Sequence, residues 1–344
     1  MSKKQIYMMT AVLIGAMFLA STWVAASEWP TYQHDTHRSG VTEEQLNLPL
    51  TQKWVYTSSF SPQPAWEGPA KWDSYSVQKD LKSMRNFDPV YHVTTVGDLL
   101  FFGSSVDDAA HCLDAVTGEE RWHFFTEGPV RVAPTYFQGR VYFGSDDGCA
   151  YCVDAQSGAL IWQYQASPQL RLVPSNGKLI SLAPVRTGVL VKAGMAYFGA
   201  SLLPWRPSYL CAVDAETGAD DVDGAYRKEY KSQTLQGAML ASSDSLYALQ
   251  GRSAPIMFNR LDGKRRRTIE SAGGVFALLT HDDHLIIDSN NQKDVQFSEK
   301  DIRSRDKLAF YPDANRIVVS EGMAYLQSGN ELSVFNRKQL LALR

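Results

Sequence analysis

Arg140-Val141-Tyr142-Phe143-Gly144-Ser145-Asp146-Asp147-Gly148-Cys149-Ala150-Tyr151-Cys152-Val153-Asp154-Ala155-Gln156-Ser157-Gly158 decides the fold of this chain. Its first five residues are rich in β-branched and aromatic side chains, Val141, Tyr142 and Phe143, and read as a strand. Asp146-Asp147-Gly148 reads as a turn, with Asp bonding its own backbone and Gly supplying a positive φ. Cys149 to Asp154 is the next strand, Ala155 to Gly158 another turn, and Ala159 to Tyr164 an outer strand carrying Trp162. An inner strand ahead of Gly139 completes a four-stranded antiparallel unit. Such a unit cannot bury both faces alone, so it must stack on neighbours.

The same phrase stands on either side. Asp88-Pro89-Val90-Tyr91 leads to Leu100-Phe101-Phe102-Gly103, then Leu113-Asp114-Ala115-Val116-Thr117-Gly118 and Trp122. Gly128-Pro129-Val130-Arg131 opens the central copy, which holds Gly144, Asp154, Gly158 and Trp162. Ala183-Pro184-Val185-Arg186 leads to Tyr197-Phe198-Gly199, then Val213-Asp214-Ala215-Glu216-Thr217-Gly218. Weaker copies follow at Ser243 to Gly263, Asp283 to Asp288 and Gly322 to Arg337, giving six cycles. A period of about 40 residues with several short strands in each is the signature of a propeller. The fold class is therefore all-β, a propeller of about six to seven four-stranded blades.

The phrase Tyr-Phe-Gly-Ser-Asp-Asp-Gly, followed by Val-Asp-Ala-x-x-Gly and a Trp, resembles the PQQ-like β-propeller repeat. That repeat builds the quinoprotein dehydrogenases and the outer-membrane assembly factor BamB. Trp29-Pro30 with Asp35, Arg38, Ser39 and Gly40 resembles the opening of many secreted members. The resemblance covers roughly residues 28 to 344 and implies the fold; the repeat's signature residues are structural and imply no activity.

Composition agrees with a globular β protein: 344 residues, 44% hydrophobic, 21% charged, with 24 Gly and 15 Pro to supply turns. A net charge of -3 gives no reason to expect nucleic acid or an anionic membrane surface as partner. Residues 1–26 read as a signal peptide, with Lys3-Lys4, an apolar run from Met8 to Leu19 and small residues at Val24-Ala25-Ala26. The rival reading is an uncleaved anchor, the only route to a membrane. Either way the chain is exported, to the periplasm or cell envelope.

Residues 27–87 read as an N-terminal arm over the propeller surface, a strand at Lys53 to Tyr56, and a Trp- and Pro-rich insertion from Ser59 to Asp88. Residues 88–344 hold the repeats, with a second insertion at Ser167 to Leu182. Trp54 stands in the role of Trp122 and Trp162 but lacks a blade of its own. It either completes the last blade and closes the ring, removing an exposed edge, or the ring stays open in a piece of a larger protein.

Four cysteines, Cys112, Cys149, Cys152 and Cys211, could pair in an exported protein or serve as small buried hydrophobes. Cys149 and Cys152, three apart on one strand, point to opposite faces, against both a mutual disulfide and a metal-binding pair. His281-Asp282-Asp283-His284 falls in a hairpin and reads as a solvated turn. Lys264 to Arg267 reads as a basic turn on a solvated rim. No metal site is expected.

The first strand of each blade lines a propeller's channel. Side chains of one parity give a column of Tyr91, Arg131, Arg186, Gln236, Val275 and Arg316. Three arginines there could hold a carboxylate or phosphate, or pair with neighbouring acids. A quinoprotein dehydrogenase needs PQQ, a Ca²⁺ site with carboxylate oxygens and an Asp base, and the column offers none. Asp107-Asp108 and Asp146-Asp147 read as turn formers. The expected function is a non-enzymatic binding or scaffold module with an envelope protein, a peptide or a small anionic ligand as partner. No catalytic residue and no cofactor are expected. The alternatives are a PQQ- and calcium-dependent alcohol or sugar dehydrogenase, or the propeller part of a larger multidomain protein.

Overall fold

Each pass of the phrase becomes four antiparallel strands in the computed structural model. The structure describes residues 28–59, 61–62, 91–175, 177–250, 253–269, 276–288, 297–304, 306–311, 314 and 316–342. The signal segment, most of the Ser59 to Asp88 insertion and Val275 lie outside them.

Blade 1 is β1 (Val93–Val96), β2 (Leu99–Ser104), β3 (Ala109–Asp114) and β4 (Glu120–Phe125). Blade 2 is β5 (Thr135–Phe137), β6 (Arg140–Gly144), β7 (Cys149–Asp154) and β8 (Leu160–Gln165). A separate hairpin, β9 (Leu172–Ser175) and β10 (Lys178–Ser181), follows. Blade 3 is β11 (Leu190–Lys192), β12 (Met195–Ala200), β13 (Ser208–Asp214) and β14 (Tyr226–Tyr230). Blade 4 is β15 (Leu240–Ala241), β16 (Ser245–Gln250), β17 (Ser253–Asn259) and β18 (Arg265–Thr268). Blade 5 is β19 (Ala277–Leu279), β20 (His284–Asp288), β21 (Phe297–Asp301) and β22 (Lys307–Tyr311). Blade 6 has three strands, β23 (Arg316–Ser320), β24 (Met323–Ser328) and β25 (Glu331–Asn336), before a short helix α1 (Arg337–Ala342).

Alternation along the strands explains why both faces of a blade are apolar. Val141 and Phe143 of β6 enter one core with Phe101, Cys112 and Trp122 of blade 1. Tyr142, between them, enters the next core with Val191, Phe198 and Val213 of blade 3. Successive blades share such cores from blade 1 to blade 6. Cys149 and Cys152 fall in different cores, on opposite faces of β7, and all four cysteines are buried free thiols. Gly103 and Gly144 close β2 and β6 because a Cβ there would stand 2.7 Å from the carbonyl oxygen of Val130 or Val185. The Pro-Val step of the following repeat thus packs directly on the glycine of the one before.

The Asp-Ala-x-x-Gly turn is a joint between blades. Asp154 Oδ1 accepts the amides of Gln156 and Ser157, and the Gly158 amide closes the turn on the Asp154 carbonyl. The turn leaves the Ala155 carbonyl pointing at the preceding blade, where Trp122 Nε1 donates to it at 2.9 Å with its ring over Gly158. Trp162 repeats this on Ala215 and Gly218, and Trp54 on Ala115 and Gly118. In the degenerate repeats the donor changes and the joint persists. Tyr226 donates to the Arg260 carbonyl with its ring over Gly263, and Arg267 donates to the Ile302 carbonyl. Lys264 to Arg267 is therefore not a basic turn; most of it is the outer strand of blade 4, and Arg266 pairs with Asp244.

Trp54 enters its joint from the side away from blade 2, where an outer strand of a preceding blade would run. Residues 51–58 form no strand, and every residue of β25 is exposed.

The arm at residues 29–40 does not lie on the outer surface. Trp29 bridges Thr95 of blade 1, Thr31 bonds Thr135 and Tyr136 bonds the Pro30 carbonyl in blade 2, and Lys192 of blade 3 donates to Thr36. The Thr36 and His37 carbonyls accept the amides of Ala241 in blade 4 and Leu279 in blade 5. Arg38, buried, donates to the Met239, Tyr32 and Asp35 carbonyls and to Thr31 Oγ1. The Trp-Pro opening is thus a strap across the inner strands, with Arg38 as its rivet.

Blade 1 carries a charged cluster on its other face. His111 is buried, stacked on Phe102, with Nε2 at 3.0 Å from Asp107 and Nδ1 at 2.8 Å from Glu120. Burial pulls its pKa down, but the two carboxylates outweigh it and raise it above 6.5. Burial pushes Asp107 up, but His111 and Ser104 bonds hold it at about 2. A raised histidine stabilises the fold below pH 6.5 and loses that as pH climbs through its folded value. A depressed Asp stabilises above 3.8 and loses that as pH falls toward 2. The gap in urea midpoint between the parent and His111→Gln should therefore be widest between about pH 4 and 6.5 and shrink as pH rises above 6.5. A gap that stays constant over that rise would refute the assignment.

Candidate functional site

Turns between second and third strands and the crossings between blades share one face of the propeller, and the arginines of the sequence column meet an acid there. Asp146, in the turn between β6 and β7, is 1% exposed. Arg186 grips it from the crossing into blade 3, with Nε on Oδ1 and Nη2 on Oδ2, both at 2.7 Å. Arg131 donates to Oδ2, also at 2.7 Å, from the crossing into blade 2. Burial alone would raise the carboxyl; the two guanidinium groups outweigh it and hold it below its ordinary range. Asp146 is thus not merely a turn former, and the arginines are not without an acid. The acid comes from a turn, so a count along inner strands misses it.

The adjoining acids are also committed. Asp147 keeps the turn role, accepting the Cys149 amide, and takes bonds from Tyr151 Oη and the Glu127 amide. Burial, outweighing these, raises its pKa. Asp108, in the equivalent turn of blade 1, holds Lys178 Nζ at 2.6 Å. Its pKa is raised because burial, helped by the charge of Asp146, exceeds the pull of Lys178 and Arg131. Lys178, Asp108, Arg131, Asp146 and Arg186 form a line of alternating charge across blades 1 to 3.

The other column residues scatter. Gln236 is buried beside Arg186, whose carbonyl accepts the Gly237 amide, and its Nε2 donates to the Leu202 carbonyl. Tyr91 instead packs edge-on against Tyr56 and at a tilt against Phe102 on blade 1. Arg316 is an exposed residue at the start of β23, opposite Gln327. Tyr91 thus precedes the inner strand β1, whereas Arg316 lies within the inner strand β23.

His281-Asp282-Asp283-His284 is not simply a solvated turn. Glu299, fully buried, accepts from His284 at 2.7 Å, from Arg337 and from Tyr311, while Asp282 also holds Arg337. The knot pins the start of α1 to blade 5. Among the described residues no group of His, Cys, Asp or Glu is arranged to hold a metal.

The Ser167 to Leu182 insertion contains the β9–β10 hairpin. A recess of about 250 Å³ lies between its base and the loop joining β12 to β13, lined by Pro168, Arg171, Arg206, Pro207, Tyr209 and Glu229 among others. Leu170, Leu172 and Leu179 on the hairpin and Trp205 on the loop are 55%, 49%, 58% and 74% exposed. Arg171 donates to Gln169 Oε1, and neither it nor Arg206 forms an ion pair among the described residues. Sequence reading missed this surface because Pro174 and irregular spacing hid the hairpin.

The sequence model described as outer membrane protein assembly factor BamB matches residues 67–305. The chain belongs to this family. Among solved structures it is similar to BamB from Moraxella catarrhalis, with a TM-score of 0.50 and 16% identity over 70% of this chain and 71% of that one. It is similar to a europium-containing methanol dehydrogenase, with a TM-score of 0.52 and 10% identity over 88% of this chain and 68% of that one. It is also similar to the computationally designed Ika8 protein, with a TM-score of 0.52 and 11% identity over 74% and 73% of the two chains. These identities carry the propeller fold alone. No curated protein is matched.

A site for PQQ and calcium would need carboxylate oxygens free to bind a cation, and the described acids beside the arginine column do not offer them. Both oxygens of Asp146 face guanidinium groups, and Asp108 is bound to an ammonium. A divalent cation needs several hard carboxylate oxygens, and here it would sit beside three cationic side chains.

Proposed function

We propose that the protein is a non-enzymatic binding module of the cell envelope that engages a protein partner on its loop face. The observation that carries this is the exposure of Leu170, Leu172 and Leu179 on the hairpin segment and of Trp205 on the loop, two segments that flank one recess. Exposed apolar surface gathered in one place marks an interaction site, and Trp is a favoured interface anchor. Arg171 and Arg206 against Glu229 leave the recess with an excess positive charge. The partner that fits is an apolar segment flanked by acidic residues. Membership of the BamB family supports an envelope protein as that partner.

A photocrosslinker at position 172 or 179, compared with one at exposed Val116, tests the reading. One stoichiometric envelope protein should crosslink from the hairpin positions only, and Arg171→Glu/Arg206→Glu should weaken capture at least tenfold. Capture equal at Val116, or dye-linked alcohol oxidation after reconstitution with PQQ and Ca²⁺, would overturn it.

A further inference from the structure

The β9–β10 hairpin belongs to no blade, and its strands pair only with each other. A two-stranded hairpin is marginal by itself in water, so its place depends on what holds its two ends. At the base, the Ser181 amide donates to the Asp146 carbonyl and the Leu182 amide to the Arg171 carbonyl. Ile180 is buried beneath it, and Ser181 lies so close to Gly148 that a Cβ there would meet its Oγ at 2.6 Å. At the far end, Lys178 reaches past blade 2 to blade 1. Its Nζ donates to the carbonyls of Ser105 at 3.0 Å and Val106 at 2.8 Å and to Asp108 Oδ1 at 2.6 Å.

An ammonium has three protons and no acceptor, and all three are used. This end of the hairpin thus rests on one flexible side chain, about one-fifth exposed, while the base rests on backbone bonds. The hairpin runs from Asp146 to the turn bearing Asp108, across the line of charges that holds Arg131 and Arg186. The two anchors differ in kind: one is made by the fold, the other by a single ion pair that solvent can reach.

We propose that the hairpin is a strap, latched to blade 1 by Lys178, whose release uncovers the Asp146–arginine cluster while the propeller stays folded. The latch adjoins Arg131 and Asp146, and Asp108 already carries a raised pKa from burial and from the Asp146 charge, so its carboxylate is held in an unfavourable setting that a competing group or a proton can exploit. The proposal does not depend on the partner reading, and its test uses the protein alone.

The test combines amide hydrogen exchange over the β9 and β10 peptides with phenylglyoxal labelling of Arg131 and Arg186, both read by mass spectrometry. Lys178→Met keeps the apolar stem and removes the charge; Asp108→Asn removes the other half; Lys178→Arg keeps a cation; Lys231→Met is the distant control. Both disabling variants should speed hairpin exchange and labelling of the two arginines about tenfold, equivalent to about 1.4 kcal/mol of latch. Lys178→Arg should fall nearer the parent, Lys231→Met should match it, and thermal midpoints should stay close. Unchanged rates in Lys178→Met would overturn the proposal. So would a rise spread evenly over all blades, since that is loss of global stability and not the opening of a strap.

Discussion

Asp146→Ala is expected to lower the free energy of unfolding by about 3–5 kcal/mol, because it strands two buried cations. Both guanidinium groups donate to this one carboxylate, and the side chains of Arg131 and Arg186 are 8% and 3% exposed. The carboxylate's own desolvation cost is recovered through them, so removing it loses that attraction and leaves much of the arginines' desolvation uncompensated. Much of the loss should return when the arginines go as well. Asp146→Leu with Arg131→Met and Arg186→Met should be markedly more stable than Asp146→Ala, as in other buried ion clusters replaced by apolar side chains. Chemical denaturation of the three proteins, the parent, Asp146→Ala and the triple variant, decides it. A loss below about 1 kcal/mol for Asp146→Ala, the range of an exposed ion pair, would mean that the cluster is open to water.

The second large effect is at the joints. Trp162→Ala should cost about 3–5 kcal/mol, the range for removing a buried Trp. The indole is 6% exposed, donates to the Ala215 carbonyl and covers Gly218. Deleting it opens a cavity between blades 2 and 3 and leaves the Ala215 carbonyl with Tyr142 Oη as its remaining side-chain donor. Trp54→Ala probes the first joint. That indole is half-buried and makes the equivalent bond to Ala115, so its loss should be smaller but of the same kind. Phe at position 162 should recover most of the packing term and none of the hydrogen bond. Equal stability of Trp162→Ala and the parent in urea would disprove the joint as a source of stability.

How much was legible in the sequence follows the same physics. The strands at Arg140–Gly144 and Cys149–Asp154 agree with their sequence assignment, because β-branched and aromatic runs bounded by Asp and Gly leave little choice. The joint was legible as a pattern and not as a bond. A Trp, a Tyr and an Arg reach the same kind of carbonyl in different repeats, and a motif search sees three unrelated residues where the fold needs only a donor with reach. Asp146 was hidden for the opposite reason. It sits in the same two-Asp turn as Asp107-Asp108, and only the crossings that bring Arg131 and Arg186 over it separate the buried carboxylate from the turn former. The arm was misplaced because polar, turn-rich residues usually lie on the surface, whereas here their backbone groups cap the ends of inner strands.

That arm changes how the chain can acquire its structure. In a solenoid each repeat needs only its neighbour, and order can spread from any point. Here Arg38 waits for Met239, 201 residues further on, and His37 waits for Leu279. Contacts so distant in sequence slow the search for the native state, and they join the earliest-synthesised stretch to strands made long afterwards. A nascent chain exposing only its first three blades would hold Trp29 and Thr31 but still lack the partners of His37 and Arg38, so the strap across the inner strands should be completed in one late step.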